Sequence, residues 1–489
     1  MTSLHRPVVV AACLLLLAGC TDKPPVPVPS GTPDTGNGLD VEPGLSEPVA
    51  DLLYPDYGNP SLDVLAYDLA LSWSPTAEEL SATATITVRA VVPVNEVTLD
   101  FSREYTVDSS SVDGESVRAS WDGDDLSVPR RLSADERTVI EVRYHGTPGT
   151  VPMPSTRGDF TEGLGLRVTR DGELWTMQEP YGASTWYPVN DIPSDEAVYD
   201  IRVTVPYGWA GVASGMLMDV DAALLSGTST YHWRSTDPVA SYLTTLAIGE
   251  YTLIEDETED GRPLTYWLRT GRDEDFEPIV KRSPELIAWL EERFGPYPFP
   301  SGGVVFVDSE SAMETQQMVT FGAGRGTGVI DADSIAETLL HEYAHQWFGN
   351  AVTPTDWTGL WLNEGWAMYC EMLWIVDEGI APLDAVIDWA HSIDEDSRPF
   401  AGPPGQANAE NFAEANVYFG PALMLYEIHR AIGDEAFFAM GRAWVQDRLD
   451  TSVDREEFAA FVNDHTGQDF TDLINLWLDS ETTPELRAG

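Results

Sequence analysis

Cysteine is scarce in this sequence of 489 residues, which contains only three cysteines and therefore predicts no disulfide framework. Basic residues are also few, because 27 Lys and Arg stand against 81 Asp and Glu and give a formal charge of −54. That charge repels phosphate, so we expect no nucleic-acid partner. The apolar run at residues 8–17 is too short for a permanent membrane-spanning helix.

The amino terminus has the pattern of a signal peptide. Arg6 precedes the apolar run, and residues 17–20 (Leu-Ala-Gly-Cys) resemble the bacterial lipobox, which is cleaved before its cysteine. We therefore expect a signal peptide at residues 1–19 and a lipidated Cys20 that anchors an exported protein to a bacterial cell-envelope membrane. An ordinary signal peptide that ends at this cysteine is the alternative. Cys370, in the helical half, is expected to be buried and unreactive.

Composition divides the rest of the chain into three parts. Residues 20–51 are rich in Pro, Gly, Ser, Thr and acids, and they predict an extended tether because they cannot bury a core. Residues 52–250 contain short segments of alternating apolar and polar residues, such as residues 84–90, and predict a largely antiparallel, β-rich domain. Residues 251–489 change to the apolar spacing of helices.

The last part predicts a mainly helical α+β domain. Helical spacing of apolar residues covers residues 284–294, 334–348, 363–376, 417–432 and 434–445. A short strand is predicted at residues 303–308. Residues 311–314 follow it directly, so we expect them to lie on an edge strand that can pair with an extended peptide.

A complete three-ligand metal site is encoded in this helical part. His341 and His345 are four residues apart, so a helix places both imidazoles on one face, where they can bind one ion. Glu364 supplies a third ligand from a separate segment. Two His and one Glu leave the fourth position of a tetrahedral Zn²⁺ open for water, which is typical of a catalytic site. Glu342 lies beside the metal and is the predicted general base.

The wider motif resembles the catalytic core of the M1 zinc aminopeptidases, which are gluzincins. The likeness rests on residues 341–350 and 361–369, and on the family spacing between the second His and the ligand Glu. It extends over about residues 54–480 and implies a saddle-like amino-terminal domain and a thermolysin-like catalytic domain. It also implies one Zn²⁺ per chain, and hydrolysis of the N-terminal bond of free-amine peptides through a metal-activated water. Because the chain ends at Gly489, we expect a short form without the large helical carboxy-terminal domain.

The resemblance also implies how the substrate is held. Residues 311–315 resemble the family's Gly-Ala-Met-Glu-Asn motif, in which the Glu binds the substrate amine and the backbone lines the peptide. Glu314 takes the amine-binding role, and Ala312 and Met313 take the lining role. Glu179 matches a second amine-binding element that projects from the amino-terminal domain. Tyr418 matches the family's catalytic tyrosine, which stabilises the oxyanion.

Four residues depart from the family pattern. The exopeptidase motif has Ser311 and Thr315 at its ends, and Gly420 and Pro421 stand where the family has Lys-Gly. These changes affect substrate positioning rather than the chemistry. Glu371 lies two helical turns after the Glu ligand on the same face, so we expect it to orient a ligand His.

Three alternatives to an aminopeptidase remain open at this stage. A zinc endopeptidase is the nearest, and a comparison of free and N-acetylated peptides would separate the two. A hydrolase of non-peptide substrates, as in epoxide-hydrolysing relatives, would need a long apolar tunnel. An inactive peptide-binding scaffold would have lost a ligand or a catalytic residue, and none is lost here.

The Gly-rich residues 322–328 predict a flexible loop near the site rather than a phosphate site. No obligate protein partner is inferred.

Overall fold

The computed structural model describes residues 44–155, 157, 158, 161–323 and 332–487. The predicted signal peptide, Cys20 and most of the predicted tether lie outside these residues, so lipidation stays a prediction. Most of the predicted Gly-rich loop at residues 322–328 also lies outside them. Within the described residues, no helix has both the length and the apolar character that crossing a membrane requires.

The described residues of the first half form fifteen strands in three sheets. The strands are β1 (Leu62–Ser74), β2 (Glu79–Ala90), β3 (Val97–Asp100), β4 (Tyr105–Val112), β5 (Glu115–Val117), β6 (Ser120–Asp122), β7 (Asp125–Val128), β8 (Arg137–Gly146), β9 (Gly165–Val168), β10 (Leu174–Met177), β11 (Glu196–Pro206), β12 (Ala210–Ala213), β13 (Met216–Ala223), β14 (Thr228–Ala240) and β15 (Leu246–Gly249). Eight of them form a large sheet in the order β13-β14-β11-β1-β2-β8-β4-β5. The predicted β-rich domain is therefore confirmed.

Alternating burial explains why this sheet forms. Along β2 the side chains alternate between buried and partly exposed positions, which is the pattern of a sheet with one face on the core. Most neighbours in the large sheet are antiparallel, as predicted. The exception is the parallel pair β1 and β11, with Ala66 opposite Val198.

Residues 44–51, predicted as the end of the tether, instead pack against the folded protein. The Asp51 carboxylate accepts hydrogen bonds from the backbone N–H groups of Tyr54 (2.6 Å) and Trp357 (2.7 Å). Ser46 Oγ donates to Glu196 O at 3.2 Å. The predicted tether is thus too long at its carboxy-terminal end. Composition indicated a segment without a core, but these polar side chains find partners far away in the sequence.

The second half begins with a five-stranded sheet. Its strands are β16 (Tyr251–Glu257), β17 (Pro263–Arg269), β18 (Gly302–Val307), β19 (Ala312–Met313) and β20 (Val319–Gly322), and a further pair consists of β21 (Val352–Pro354) and β22 (Thr451–Val453). The order is β16-β17-β18-β20-β19, so β19 lies at an edge, as predicted for residues 311–314. β18 is one residue earlier than the predicted strand.

Nine helices complete the described part of the chain. They are α1 (Asp273–Val280), α2 (Ser283–Phe294), α3 (Ala332–His345), α4 (Leu360–Asp377), α5 (Leu383–Ala401), α6 (Asn416–Ile432), α7 (Asp434–Arg448), α8 (Arg455–Thr466) and α9 (Thr471–Asp479). Every residue from 360 to 370 is buried, so α4 is a core helix. It packs between α3 and α6, which brings the predicted site residues of all three helices together.

Candidate active site

The three predicted metal ligands converge on one point between α3 and α4. His341 Nε2 lies 3.2 Å from Glu364 Oε2, and His345 Nε2 lies 3.4 Å from the same oxygen. All three ligand atoms lie within 4.8 Å of one another, and all three residues are buried. The spacing of four residues in α3 directs both rings to one side, and α4 supplies the carboxylate opposite them.

The second nitrogen of each histidine lies close to a separate oxygen atom. His341 Nδ1 lies 3.2 Å from Glu371 Oε2, which is an ion-pair distance without hydrogen-bond geometry, so Glu371 lies next to the ligand His as predicted. His345 Nδ1 donates to Phe348 O at 3.1 Å, a partner that the sequence did not indicate. These contacts leave Nε2 of each ring directed at the Glu364 carboxylate.

A break in the helix explains the contact with Phe348. After α3 the chain forms a π-helical segment at Gln346–Asn350, in which Phe348 has non-helical dihedral angles. The adjacent Gly349 has a φ of 125°, a conformation that L side chains rarely adopt. A Cβ there would also lie 3.1 Å from the Asn363 side chain. The glycine therefore allows the turn that directs the Phe348 carbonyl back to His345.

The donor set fits one Zn²⁺. Two imidazole nitrogens and one carboxylate oxygen are ligand types that zinc prefers. Burial raises the pKa of Glu364, but His345 and His341 outweigh it and hold the net pKa below its usual range. A carboxylate buried in an apolar helix is stable only when charges or hydrogen bonds replace its water, and a cation bound by these three residues would do so.

Removal of one ligand gives a direct test of the metal assignment. We expect Glu364→Ala to lower the zinc content well below one ion per chain, because only two ligands remain. Elemental analysis of the purified protein measures this. Glu378→Ala, which removes a partly exposed carboxylate paired with Arg282 just after α4, is the matched control and should keep full zinc. Full occupancy in Glu364→Ala would contradict the ligand assignment.

Three further glutamates surround the ligand cluster. Glu342 is buried beside it on α3, and its carboxylate lies within 4.8 Å of the ligand atoms of Glu314 and His345. Burial raises the pKa of Glu342 to about 8. Burial, and then the charge of Glu314, raise the pKa of Glu179, and burial also raises the pKa of Glu314. These raised pKa values mean that the buried carboxyls resist ionisation on their own, and that a bound cation would stabilise their charged forms.

Glu179 and Glu314 come from different halves of the molecule. Glu179 follows β10, and Glu314 follows the edge strand β19. Oε1 of each is buried without a hydrogen-bond partner among the described residues. Two buried carboxylates with unsatisfied oxygens are unfavourable unless a donor, and preferably a cation, lies between them. The predicted amine-binding pair is thus brought to one place.

The backbone around this pair is fixed by amide side chains. Gln346 Nε2 and Asn350 Nδ2 both donate to Glu314 O, at 3.0 and 2.7 Å. Gln178 Nε2 donates to Ser241 O at 2.8 Å. The polar residues of the helical motif after His345 therefore help to place the amine-binding segment, which the sequence alone did not indicate.

Tyr418 lies on α6 with its ring stacked near that of His341, at a centroid distance of 6.0 Å. Its hydroxyl accepts a hydrogen bond from Arg157 Nη1 at 3.1 Å. Burial, followed by Glu364, raises the pKa of Tyr418 well above its usual value, while Arg157 opposes this shift. Tyr418 is thus a neutral phenol whose hydroxyl can donate a hydrogen bond. Sequence reasoning missed Arg157.

The departures at Gly420 and Pro421 have a packing explanation. A Cβ at Gly365, beside the ligand Glu364, would lie 2.5 Å from Pro421 Cβ. A Cβ at Gly420 would lie 2.6 Å from Arg398 Nη2. These positions therefore let α6 approach α4 and α5 closely, which keeps Tyr418 near the ligands. Cys370 is buried, as predicted.

These residues line one cavity of about 250 Å³. Its lining residues are Arg157, Glu179, Glu310, Ser311, Ala312, Met313, Glu314, Thr338, His341, Glu342, His345, Glu364, Met368, Glu371 and Tyr418. All predicted catalytic, metal-binding and substrate-binding residues in the described part of the chain are among them. The cavity thus joins a metal site, a general base, a phenol and an acidic pair.

Family models match both halves of this molecule. The model of the Peptidase M1 N-terminal domain matches residues 64–243, and that of the Peptidase family M1 domain matches residues 280–477. The chain belongs to peptidase family M1. The predicted fold and family are therefore confirmed, and the family implies one catalytic zinc, for which His341, His345 and Glu364 are the available ligands.

Solved and curated relatives agree with this M1 assignment. A mutant M1 zinc metallopeptidase of Deinococcus radiodurans bound to a Tyr-Ser-Ala substrate is 27% identical, with a TM-score of 0.79 and coverage of 90% of this chain and 99% of that chain. Aminopeptidase M1-B of Oryza sativa subsp. japonica is 23% identical over 461 residues, which are 87% of this chain and 50% of the relative. Probable M1 family aminopeptidase 2 of Encephalitozoon cuniculi is 23% identical over 389 residues, 71% of this chain and 43% of the relative.

The M1 chain spans about half the length, or less, of the first curated relatives that it matches. In contrast, it covers nearly all of the Deinococcus protein.

Proposed function

We propose that this protein is a zinc aminopeptidase that hydrolyses the N-terminal peptide bond of peptides with a free amino terminus. The observation that carries the proposal is the pair of buried carboxylates, Glu179 and Glu314, beside a three-ligand metal site. A metal site alone would serve many hydrolases. The acidic pair adds a receptor for a cation at a fixed distance from the reacting bond.

The pair would bind the substrate ammonium. Removing an ammonium from water is costly unless charged acceptors replace its water, and two carboxylates provide charge-assisted hydrogen bonds. The unpartnered Oε1 atoms of Glu179 and Glu314 are available for this role. Binding of the amine there would place the first peptide bond, and no later one, beside the ligand cluster. This geometry favours removal of a single residue from the amino terminus.

Glu342 would act as the general base in this reaction. Zinc bound by His341, His345 and Glu364 supplies Lewis-acid chemistry, which makes water more acidic and polarises a carbonyl. The buried Glu342 carboxylate takes the proton from the attacking water and passes it to the departing amine. The carbonyl oxygen gains negative charge during this attack, and the Tyr418 hydroxyl would donate a hydrogen bond to it.

The tyrosine role predicts a defect in turnover rather than in binding. We expect Tyr418→Phe to reduce kcat by about 10²- to 10³-fold, because one donor to the developing oxyanion is lost. KM should change little, since the contact forms mainly in the transition state. Steady-state kinetics with an aminoacyl amide substrate measure both constants.

Tyr426→Phe is the matched control for this prediction. Tyr426 lies on the same helix α6 but outside the residues that line the cavity. It should keep normal kinetics, which would show that loss of a phenol hydroxyl from α6 is harmless elsewhere. Normal turnover of Tyr418→Phe would remove the tyrosine from the proposed mechanism.

If the protein were an endopeptidase, Glu179 and Glu314 would not select substrates by a free amino terminus. An endopeptidase must accept an acylated amide nitrogen where the aminopeptidase holds an ammonium. Such a neutral group would leave the two carboxylates poorly paired, which is unfavourable in a buried place. The geometry therefore supports the exopeptidase.

A further inference from the structure

Arg157 is the one Lys or Arg among the described residues that line the cavity, where six glutamates also lie. It comes from the β-rich half, between β8 and β9, and reaches a helix of the other half. Arg157 and Tyr418 are 261 residues apart in the sequence. Arg157 is only partly buried there, but fixing this long charged side chain in an acidic cavity still costs side-chain entropy and some hydration, which suggests a specific function.

The Arg157 side chain makes two contacts with the tyrosine region. Nη1 donates to the Tyr418 hydroxyl at 3.1 Å and to Ala413 O at 2.9 Å. Ala413 lies three residues before α6 and has a φ of 55°, so this carbonyl belongs to the turn that leads into the helix of Tyr418. One guanidinium thus contacts both the phenol and the backbone that enters its helix.

The direction of the hydrogen bond matters for the chemistry. A guanidinium has donors and no acceptor, so in its bond with Arg157 the Tyr418 oxygen accepts. The hydroxyl proton is not used in this bond and is available for another acceptor. A charged donor on the oxygen also polarises the O–H group, which strengthens the bond that this proton makes.

The base of the segment that carries Arg157 is anchored. Val151 and Leu164 exchange backbone hydrogen bonds of 2.9 and 2.8 Å. Glu162 Oε1 accepts a hydrogen bond of 3.0 Å from Ser309 Oγ, which lies three residues before β19. The segment therefore contacts the wall with the exopeptidase strand through Glu162 and the wall with Tyr418 through Arg157.

We propose that Arg157 is a positioning residue that orients and polarises the Tyr418 hydroxyl for donation to the oxyanion. This inference rests on the proposed function, because it assumes that Tyr418 stabilises the transition state. The competing role for Arg157 is electrostatic support of Glu179, whose carboxylate it also influences. That role would change the binding of the substrate amine and would not depend on Tyr418.

A double-mutant cycle separates these roles. We expect Arg157→Ala to lower kcat about 10- to 100-fold with little change in KM, because a charge-assisted hydrogen bond is lost. In the Tyr418→Phe background the same substitution should have little further effect, since residues that act as one unit are not additive. Added guanidinium should restore part of kcat to Arg157→Ala but none to the double variant.

Controls keep the result interpretable. Arg143→Ala, which removes an exposed arginine paired with Glu141, should leave both constants unchanged. Zinc content and thermal unfolding of each variant report whether the fold and the metal site persist. Should Arg157→Ala fail to fold, Arg157→Lys, which keeps the charge and one donor, is expected to fold with an intermediate kcat and the same dependence on Tyr418.

The outcomes that would overturn the inference are distinct. Losses in kcat that multiply in the double variant, or an effect confined to KM, would assign Arg157 to Glu179 or to general packing. If Tyr418→Phe loses turnover and either of these results is also found, the proposed function still holds and only the role of Arg157 is wrong. Normal turnover of Tyr418→Phe would overturn both the tyrosine role and this inference.

Discussion

Glu342→Gln should retain zinc and lose about 10²- to 10⁴-fold in kcat, the range expected when general-base assistance is removed. Glutamine keeps the shape of the side chain but cannot accept a proton from water at neutral pH. Glu342 is buried beside the ligands and is not itself one of the three, so the metal should remain. Single-turnover or steady-state kinetics, combined with elemental analysis, measure both properties on one preparation.

Glu285→Gln provides the matched control for this loss. Glu285 is an exposed glutamate on α2 that pairs with Arg282, outside the cavity lining. The same chemical change there should leave kcat unchanged. Turnover of Glu342→Gln at the rate of the parent would remove Glu342 from the mechanism, whereas loss of zinc in that variant would show that Glu342 supports the metal instead.

The metal ligands could be predicted because their geometry is local. Four residues separate His341 and His345 in one helix, and this spacing fixes their common face regardless of the rest of the fold. The partner of His345 could not be predicted in the same way. Phe348 O reaches it because the helix breaks at Phe348 and Gly349, where a larger residue than glycine would also meet the Asn363 side chain from α4.

Arg157 shows the second limit of sequence reasoning. Nothing in its neighbours along the chain points to a metal site, and its partner Tyr418 is 261 residues away. Such a contact arises only when the β-rich half and the helical half are assembled. The amine-binding pair has the same origin, and the sequence predicts it only because both residues lie in segments that resemble family motifs.

Apolar spacing alone did not predict every helix correctly, because capping residues also decide where a helix begins. The prediction began the helix of Glu364 at residue 363, whereas α4 begins at Leu360 after a short 3₁₀ turn. Asp356 caps that turn by accepting a hydrogen bond from Thr358 N at 2.8 Å. The prediction also omitted α8, although Asp454 and Glu457 form a capping box at its start. That signal was readable from the sequence.

The acidic pair predicts that acetylation of the substrate amine should abolish most turnover by the parent protein. A free amine is an ammonium that Glu179 and Glu314 can bind with charge-assisted hydrogen bonds, and an acetylated nitrogen is neutral and bulkier. The ammonium also sets the position of the first peptide bond, so its loss should slow the chemical step as well as binding. Kinetics on matched free and N-acetylated peptides measure the discrimination as a ratio of kcat/KM.

Glu314→Ala should lower kcat/KM for the free-amine peptide and reduce this discrimination, because one of the two carboxylates that distinguish the substrates is gone. Glu310→Ala is the matched control, since Glu310 precedes Glu314 by four residues in the same cavity wall and is exposed. It should keep the preference of the parent for the free amine. If Glu314→Ala kept the same kcat/KM ratio between free and N-acetylated peptides, Glu314 would have no role in binding the amine. Efficient cleavage of N-acetylated peptides at internal bonds by the parent would instead leave only a zinc endopeptidase, because a site that binds an ammonium through two buried carboxylates cannot accept a neutral amide there equally well.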